Sequence, residues 1–326
     1  MIARLRAFGR RRRTAITVIG SIATAAVLVG VLAGRREEFA DAVAGVAVPV
    51  LAVTALLQIV ALLARSEAWH VTIEAAGGTV DRRVLYRASS MQVLGGVLNG
   101  HLGVAVRIAA LRRSSPAASP PLPTLIAAEV PILAVEAALA VLASFTLVAP
   151  LGLPWWVPLI GLPVIAVASA GLRHFALRKG RELWRGLAVL RSARGGGRVV
   201  ALVLVAVFAQ IFRNWMLLHA VGVDASFFDA IAVLIAVVTL SQLPVGPSVG
   251  AAAAVLILGR DGVAVAAAAG VLMTVTGTVG GLCFAMWAGA DRMWSGRHRR
   301  AARRATPWGT SEEHVPRDEA RPAGRP

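Results

Sequence analysis

The chain has 326 residues, of which 57% are hydrophobic and 16% charged, and its mean hydropathy is +0.71. A soluble globular protein of this length does not carry so much apolar sequence, so the composition indicates a polytopic membrane protein. The net charge of +17 does not indicate nucleic acid binding, because the basic residues cluster between apolar runs, as they do in cytoplasmic loops.

The chain begins with a basic segment, residues 1–13, followed by an apolar run over residues 14–34. A secretory signal peptide is the competing interpretation of this run. The apolar region of a signal peptide usually has about 7–15 residues, whereas a crossing needs about 20. We therefore favour a retained first span.

Long apolar runs predict about six full crossings, over residues 14–34, 42–64, 124–148, 155–172, 199–220 and 263–288. Two further runs, 84–111 and 227–258, are interrupted near residues 98–101 and 243–247. Each divides into pieces of roughly 10–17 residues, which suits a re-entrant helical hairpin better than a crossing. The predicted fold is therefore all-α, with about six transmembrane helices and two re-entrant hairpins.

The distribution of basic residues predicts the orientation of these segments. With the N-terminus inside and both hairpins re-entrant, 30 of the 34 basic residues lie on the cytoplasmic side. This arrangement places both termini in the cytoplasm of a multi-pass plasma-membrane protein. The two hairpins then enter from opposite sides, so the halves 42–148 and 199–288 form an inverted repeat, as in many transporters.

Each half carries a Trp, a Gly and a break in the same order. These markers are Trp69, Gly77 and Asn99, then Trp215, Gly222 and Pro244, at spacings of 146, 145 and 145 residues. Chance resemblance between apolar segments is the alternative. The domain organisation that follows is a cytoplasmic N-terminus (1–13), a transmembrane domain (14–290) and a disordered basic cytoplasmic tail (291–326).

Polar residues within apolar runs are costly in a membrane and are therefore candidates for function. The candidate substrate-binding residues are Asn99, His101, Gly103, Arg107, Glu129, Glu136, Arg213, Asn214, Ser241, Pro244, Pro247 and Gly250. Helix ends at the breaks present unpaired N–H groups, which attract anions. Together with Arg107, they predict the anionic headgroup of a membrane lipid as the partner.

Several of these residues have alternative interpretations. Arg107 and Glu129 are either a lipid phosphate site or a structural ion pair between hairpin one and its neighbouring span, and Arg107 could also snorkel to the cytoplasmic surface. For Arg213, outward snorkelling is favoured. Glu136 could simply face a neighbouring helix, His101 could cap a helix, and Gly250 could allow close helix packing.

The sequence contains no H-E-x-x-H, G-x-S-x-G or Asp-rich motif, so we expect no enzyme activity, metal or cofactor. The single cysteine, Cys283, excludes a disulfide within the chain.

Several short motifs resemble the transmembrane, flippase-like region of the lysylphosphatidylglycerol synthase family, in the stand-alone form that lacks the synthase domain. These motifs are Arg65-x-x-x-Trp69 with Gly77, Asn99, Gly103 to Arg107, Leu111 to Arg113, Glu129, Ser241 to Pro244 and Pro247 to Gly250.

The resemblance implies a protein that binds and translocates an anionic phospholipid or a polyprenyl-phosphate-linked lipid. The alternative is a non-transporting scaffold for a cell-envelope glycosyltransferase or synthase.

Overall fold

The computed structural model describes residues 22–23, 25–30, 32–96, 100–114, 120–160, 163, 189–241, 248–259 and 262–305. All regular structure in these ranges is helical. The helices are α1 (Arg36–Ala44), α2 (Val48–Ala75), α3 (Arg82–Gly96), α4 (Gly100–Ser114), α5 (Leu122–Ala143), α6 (Val148–Leu151), α7 (Ala193–Ala220), α8 (Phe227–Leu240), α9 (Val249–Leu258) and α10 (Val263–Ala305). Two 3₁₀ turns occupy Ser144–Leu147 and Val189–Arg191.

Four helical segments in the described part are long and apolar enough to cross a membrane. They are Val48–Ala75, Leu122–Leu151, Arg194–Ala220 and Val263–Asp291. They correspond to four of the six predicted crossings. Of the other two, 14–34 is described at 11 of its 21 residues and 155–172 at seven of its 18, and neither is among the four candidate spans.

The first of these spans differs from its prediction, which was residues 42–64. A separate short helix, α1, ends at Ala44, and α2 begins only at Val48, with Pro49 in its first turn, where a missing N–H costs nothing. At the other end, α2 continues eleven residues past Ala64. The apolar run ended there because Ser66, Glu67 and His70 interrupt it, but these residues do not interrupt the helix.

Each interrupted run forms two short helices that pack against each other, α3 with α4 and α8 with α9. The breaks themselves, residues 97–99 and 242–247, lie outside the described residues, and so do Asn99, Pro244 and Pro247. The structure therefore shows two packed helices in each interrupted run and does not describe the segments that join them.

The two halves repeat with a constant spacing of 145 residues. Helices α2 and α7 both have 28 residues, and both start and end 145 positions apart. Each ends in a glycine with positive φ, Gly77 at 87° and Gly222 at 90°. The same pair of backbone hydrogen bonds closes both ends, from Gly77 to Glu74 and Gly78 to Ile73, and at the equivalent positions in α7. This is the Schellman motif, in which glycine readily adopts the left-handed conformation.

The repeat continues past the glycines. Helices α3 and α8 also start 145 residues apart, each after a capping side chain. Asp81 accepts hydrogen bonds from the amides of Arg83 and Val84, and Ser226 accepts one from Asp229. The matched tryptophans, in contrast, are not equivalent. The position equivalent to Trp69 is Asn214, one residue before Trp215, so the glycines and helix ends carry the repeat and the tryptophans do not.

The two equivalent helices pack against each other in opposite directions. Gln58, in the first half of α2, contacts Arg213, near the end of α7. Around the middle, Ala61 and Ala64 form one cluster with Ala206 and Ala209. Farther along α2, Ala68 and Trp69 share a cluster with Val199 and Val203, near the start of α7. Residue numbers rise along one helix as they fall along the other, so α2 and α7 are antiparallel.

Helix α10 is the most buried of the four spans, and glycines bring its neighbours close. A Cβ on Gly270 would lie 2.3 Å from the carbonyl oxygen of Gly250 in α9. On Gly280 it would lie 2.6 Å from the carbonyl oxygen of Ala55 in α2, and on Gly281 it would lie 2.4 Å from Val93 in α3. The chain divides into two compact units, residues 1–288 and residues 289–326, and the described part of the second is the end of α10.

Candidate functional site

A buried ion pair joins α4 to α5. The guanidinium of Arg107 donates to the carboxylate of Glu129, and the two side chains are 1% and 8% exposed. The guanidinium carbon also lies 3.9 Å from the ring centroid of Trp69 in α2, which is completely buried. This cation–π contact gives the charge a second partner in an apolar surround.

A second ion pair lies beside the first and is more open. Arg65 donates to Glu136 over 3.0 Å, and the two side chains are 33% and 27% exposed. Arg65 precedes Trp69 by one turn of α2, and Glu136 follows Glu129 by two turns of α5, so both pairs lie on matching helix faces. We call Arg65, Arg107, Glu129 and Glu136 the four-charge cluster.

The four-charge cluster has equal numbers of positive and negative groups and a gradient of exposure. An anion that approaches through the open pair would compete with Glu136 for Arg65, and then with Glu129 for Arg107. The Nε atom of Arg107 and the indole N–H of Trp69 are both buried without a hydrogen-bond partner among the described residues. Two donors are therefore unused beside the inner pair.

The predicted pairing of Arg107 with Glu129 is present in the structure. Snorkelling of Arg107 to the cytoplasmic surface is wrong, because the residue is 1% exposed. Glu136, for which contact with a neighbouring helix was one interpretation, pairs with Arg65 of α2. The sequence did not identify this pairing or the position of Trp69 under Arg107, although the four-residue spacing of Arg65 and Trp69 puts both on one helix face.

A second buried arginine lies between α2, α7 and α10. Arg213 is 9% exposed and donates to the side-chain oxygens of Gln58 and Asn214, the latter at 3.4 Å. A Cβ on Gly277 of α10 would lie 3.1 Å from a terminal nitrogen of this guanidinium. We call Gln58, Arg213, Asn214 and Gly277 the Arg213 cluster.

Outward snorkelling, the favoured interpretation of Arg213, is wrong. The side chain points into the helix packing because two polar acceptors and a glycine gap lie there, and α7 continues for seven residues beyond it. Sequence reasoning missed Gln58. Gln58 is a long polar side chain within an otherwise apolar run, and this feature of the sequence could have identified it.

The remaining predicted residues do not join either cluster. Gly250 lies in the tight contact of α9 with α10, and the hydroxyl of Ser241, at the end of α8, donates to the carbonyl of Val238. Gly103 is buried in the first turns of α4. His101 falls in the first turn of the same helix, but its side chain lies outside the described residues.

A more exposed polar group lies at the far end of α2. The hydroxyl of Tyr86, in the first turns of α3, donates to Glu67, which also lies 3.7 Å from Arg82 and 4.0 Å from Arg198. Burial, and then the hydrogen bond to Glu67, raise the pKa of Tyr86 to about 12. Over half of each arginine side chain is exposed, which suits them as controls for the buried arginines.

No group of three His, Cys, Asp or Glu side chains that could hold a metal ion occurs in the ranges that the structure describes. Comparison with known proteins gives no match, since no family model, no curated protein and no solved structure matches the chain at a significant level.

Proposed function

We propose that this protein binds the anionic headgroup of a membrane lipid and assists its passage across the bilayer. The lipid class is an anionic phospholipid or a polyprenyl-phosphate-linked lipid. The observation that carries the proposal is the four-charge cluster, with one partly exposed ion pair leading to a buried one. Ionisable groups at membrane depth are retained mainly where they serve a pathway or a ligand.

The repeat supports a transporter scaffold. Equivalent 28-residue helices that run antiparallel, as α2 and α7 do, cross a membrane in opposite directions. The halves that contain them then have inverted topology, with α3–α4 and α8–α9 as re-entrant hairpins that enter from opposite sides. The arginines that follow α2 predict that the C-terminal end of this helix faces the cytoplasm. The four-charge cluster lies near the same end.

The carboxylates act as exchangeable partners in this proposal. Without a ligand, Glu136 and Glu129 neutralise the two arginines, which avoids bare charges in a low-dielectric region. A phosphate group enters beside Arg65, displaces Glu136 and then reaches Arg107. The acyl or prenyl chains remain in the bilayer, and the cluster provides a polar path for the headgroup.

Vesicles that contain fluorescent phosphatidylglycerol test this proposal. We expect the wild-type protein to move the lipid between leaflets, and Arg65→Gln to reduce the rate at least tenfold. Arg65 lies ten residues before the end of α2, so Arg65→Gln leaves Glu136 unpaired within the membrane, and thermal unfolding checks that the variant is folded. Arg198→Gln removes a more exposed arginine outside the cluster and serves as the matched control. Equal rates for all three proteins would reject the proposed role of the cluster.

Cysteine labelling tests the orientation. In a Cys283→Ser background, Ser114→Cys at the end of α4 should react with a membrane-impermeant reagent only from the cytoplasmic side. Asp224→Cys, between α7 and α8, should react only from outside. Labelling of both positions from the same side contradicts the inverted arrangement.

The near-complete burial of Arg107 favours a second candidate function, a non-transporting scaffold for a cell-envelope glycosyltransferase or synthase. An arginine that is already satisfied by Glu129 and Trp69 stabilises the helix packing without any ligand. Co-purification with one such enzyme at fixed stoichiometry, with no lipid movement in vesicles, supports this alternative.

A further inference from the structure

The Arg213 cluster has a positive charge that no acidic group in the described part of the chain balances. Among the described residues, no carboxylate lies within ion-pair distance of Arg213, and its hydrogen-bond partners, Gln58 and Asn214, are neutral. Its Nε atom is buried without a partner in the same part of the chain. Arg107, the other buried arginine, has Glu129 beside it. Arg213 therefore lacks the counterion that Arg107 has.

The depth of this charge makes its isolation costly. Arg213 lies seven residues before the end of α7, and Gln58 lies ten residues after the start of α2, about 10 Å and 15 Å along the helix axes. Both positions fall within a hydrocarbon core of about 30 Å. A buried guanidinium at that depth is stabilised most simply by a bound anion.

The surface beside the Arg213 cluster fits a lipid. Gln58 is half-buried, so the cluster reaches the protein surface along α2. Ala55 and Leu62, about one helical turn away on either side and on the same face of α2, are half-buried as well. A headgroup at Arg213 would therefore have apolar side chains beside it for the hydrocarbon part of the same molecule.

We infer that the Arg213 cluster binds the phosphodiester of an anionic lipid that carries one negative charge. The inference rests on the proposed function only in taking the ligand to be a lipid. Arg213 carries a single positive charge, so a ligand with one negative charge balances it. A phosphodiester monoanion neutralises it, whereas a phosphomonoester carries about 1.5–2 negative charges near neutral pH and leaves an excess.

The test supplies the missing counterion. Gln58→Glu keeps the shape and the hydrogen bond to Arg213 and adds a carboxylate. Native mass spectrometry of the full chain in detergent, titrated with phosphatidylglycerol, measures the affinity. We expect at least a tenfold loss for Gln58→Glu, with a thermal stability no lower than that of the wild type. Gln92→Glu, the same change in α3 and outside the contacts of Arg213, should bind phosphatidylglycerol as the wild type does.

Three further ligands identify the chemistry. We expect phosphatidylcholine, which has no net charge, and phosphatidic acid, a phosphomonoester, to bind at least tenfold more weakly than phosphatidylglycerol. Dimethyl phosphate, a phosphodiester without acyl chains, should compete only at much higher concentration. Unchanged binding in Gln58→Glu, tighter binding of phosphatidic acid, or equal potency of dimethyl phosphate would each overturn the inference.

The results also separate this inference from the proposed function. Loss of phosphatidylglycerol binding in Gln58→Glu, combined with no lipid movement by the wild type in vesicles, upholds the Arg213 site and rejects translocation. Lipid movement by the wild type, with unchanged binding in Gln58→Glu, upholds translocation and rejects the site.

Discussion

Removing one partner of the Arg107–Glu129 pair should destabilise the protein strongly. Glu129→Leu leaves a guanidinium that is 1% exposed without a counterion, which costs about 3–5 kcal/mol. Arg107→Met leaves Glu129 unpaired and also removes the contact with Trp69, which contributes up to about 2 kcal/mol where it is desolvated. Each single variant should therefore lose at least about 3 kcal/mol of unfolding free energy.

The double variant Arg107→Met/Glu129→Leu removes both charges together. Replacing a buried pair by apolar side chains of similar size is often neutral or stabilising. Two independent losses would sum to at least about 6 kcal/mol, so near-wild-type stability in the double variant implies a coupling of about that size. Chemical unfolding in mixed micelles, followed by tryptophan fluorescence, measures all four corners of the cycle.

Arg65→Gln is the comparison within the same cluster, because its pair with Glu136 is partly exposed and should contribute less than the inner pair. Single-variant losses at Arg107 and Glu129 below about 1 kcal/mol would refute the reasoning, since the inner pair would then behave as an exposed one. The double variant also separates two roles for the pair. If the double variant is stable but no longer moves lipid, the pair belongs to the lipid pathway. If it is stable and still moves lipid, the pair is structural.

Three other predictions concern the backbone and the single tyrosine. Gly270→Ala should cost about 1–3 kcal/mol in thermal unfolding, because the new Cβ would meet the backbone of α9, whereas Gly197→Ala, with open space around it, should gain up to about 1 kcal/mol. Gly77→Ala and Gly222→Ala should each cost about 1–2 kcal/mol, and unequal losses would show that the two helix ends are not equivalent, despite φ values of 87° and 90°. Absorbance titration reports Tyr86 alone, because it is the only tyrosine, and should give a midpoint near pH 12. Glu67→Leu removes the hydrogen bond and the charge but not the burial, so the midpoint should fall and stay above 10. Since the pKa is raised in the folded state, its contribution to stability is present below about pH 10 and is lost as the pH rises toward 12. An unshifted midpoint in Glu67→Leu contradicts the role of the hydrogen bond to Glu67.

The sequence predicted the four candidate spans and the central ion pair because both follow from the cost of polar groups in a membrane. Long apolar runs identify crossings, and an arginine and a glutamate within such runs are expected to meet, as Arg107 and Glu129 do. The continuation of α2 to Ala75 was not predictable from hydropathy, because the polar residues of its last turns are buried by other helices.

The direction of Arg213 also could not be predicted. An arginine seven residues from the end of a helix can reach the surface or turn inward, and the choice depends on the rotation of α7 against α2 and α10. Packing fixes that rotation through contacts far apart in the chain, such as Gln58 and Gly277. The tryptophan match failed for a related reason, because one residue of offset turns a side chain by about 100° around a helix.

The near-identity of the two helix ends has a consequence for how the chain enters the membrane. Helices α2 and α7 have the same length, and each is followed by the same glycine turn and a capped helix. Neither hydrophobic length nor turn geometry can therefore tell the insertion machinery which way each half should point. The difference lies in the short segments after them, where residues 76–87 contain three arginines and residues 221–232 contain none, with two aspartates instead. We expect these charges to contribute to the direction of each half, together with the other basic segments of the chain.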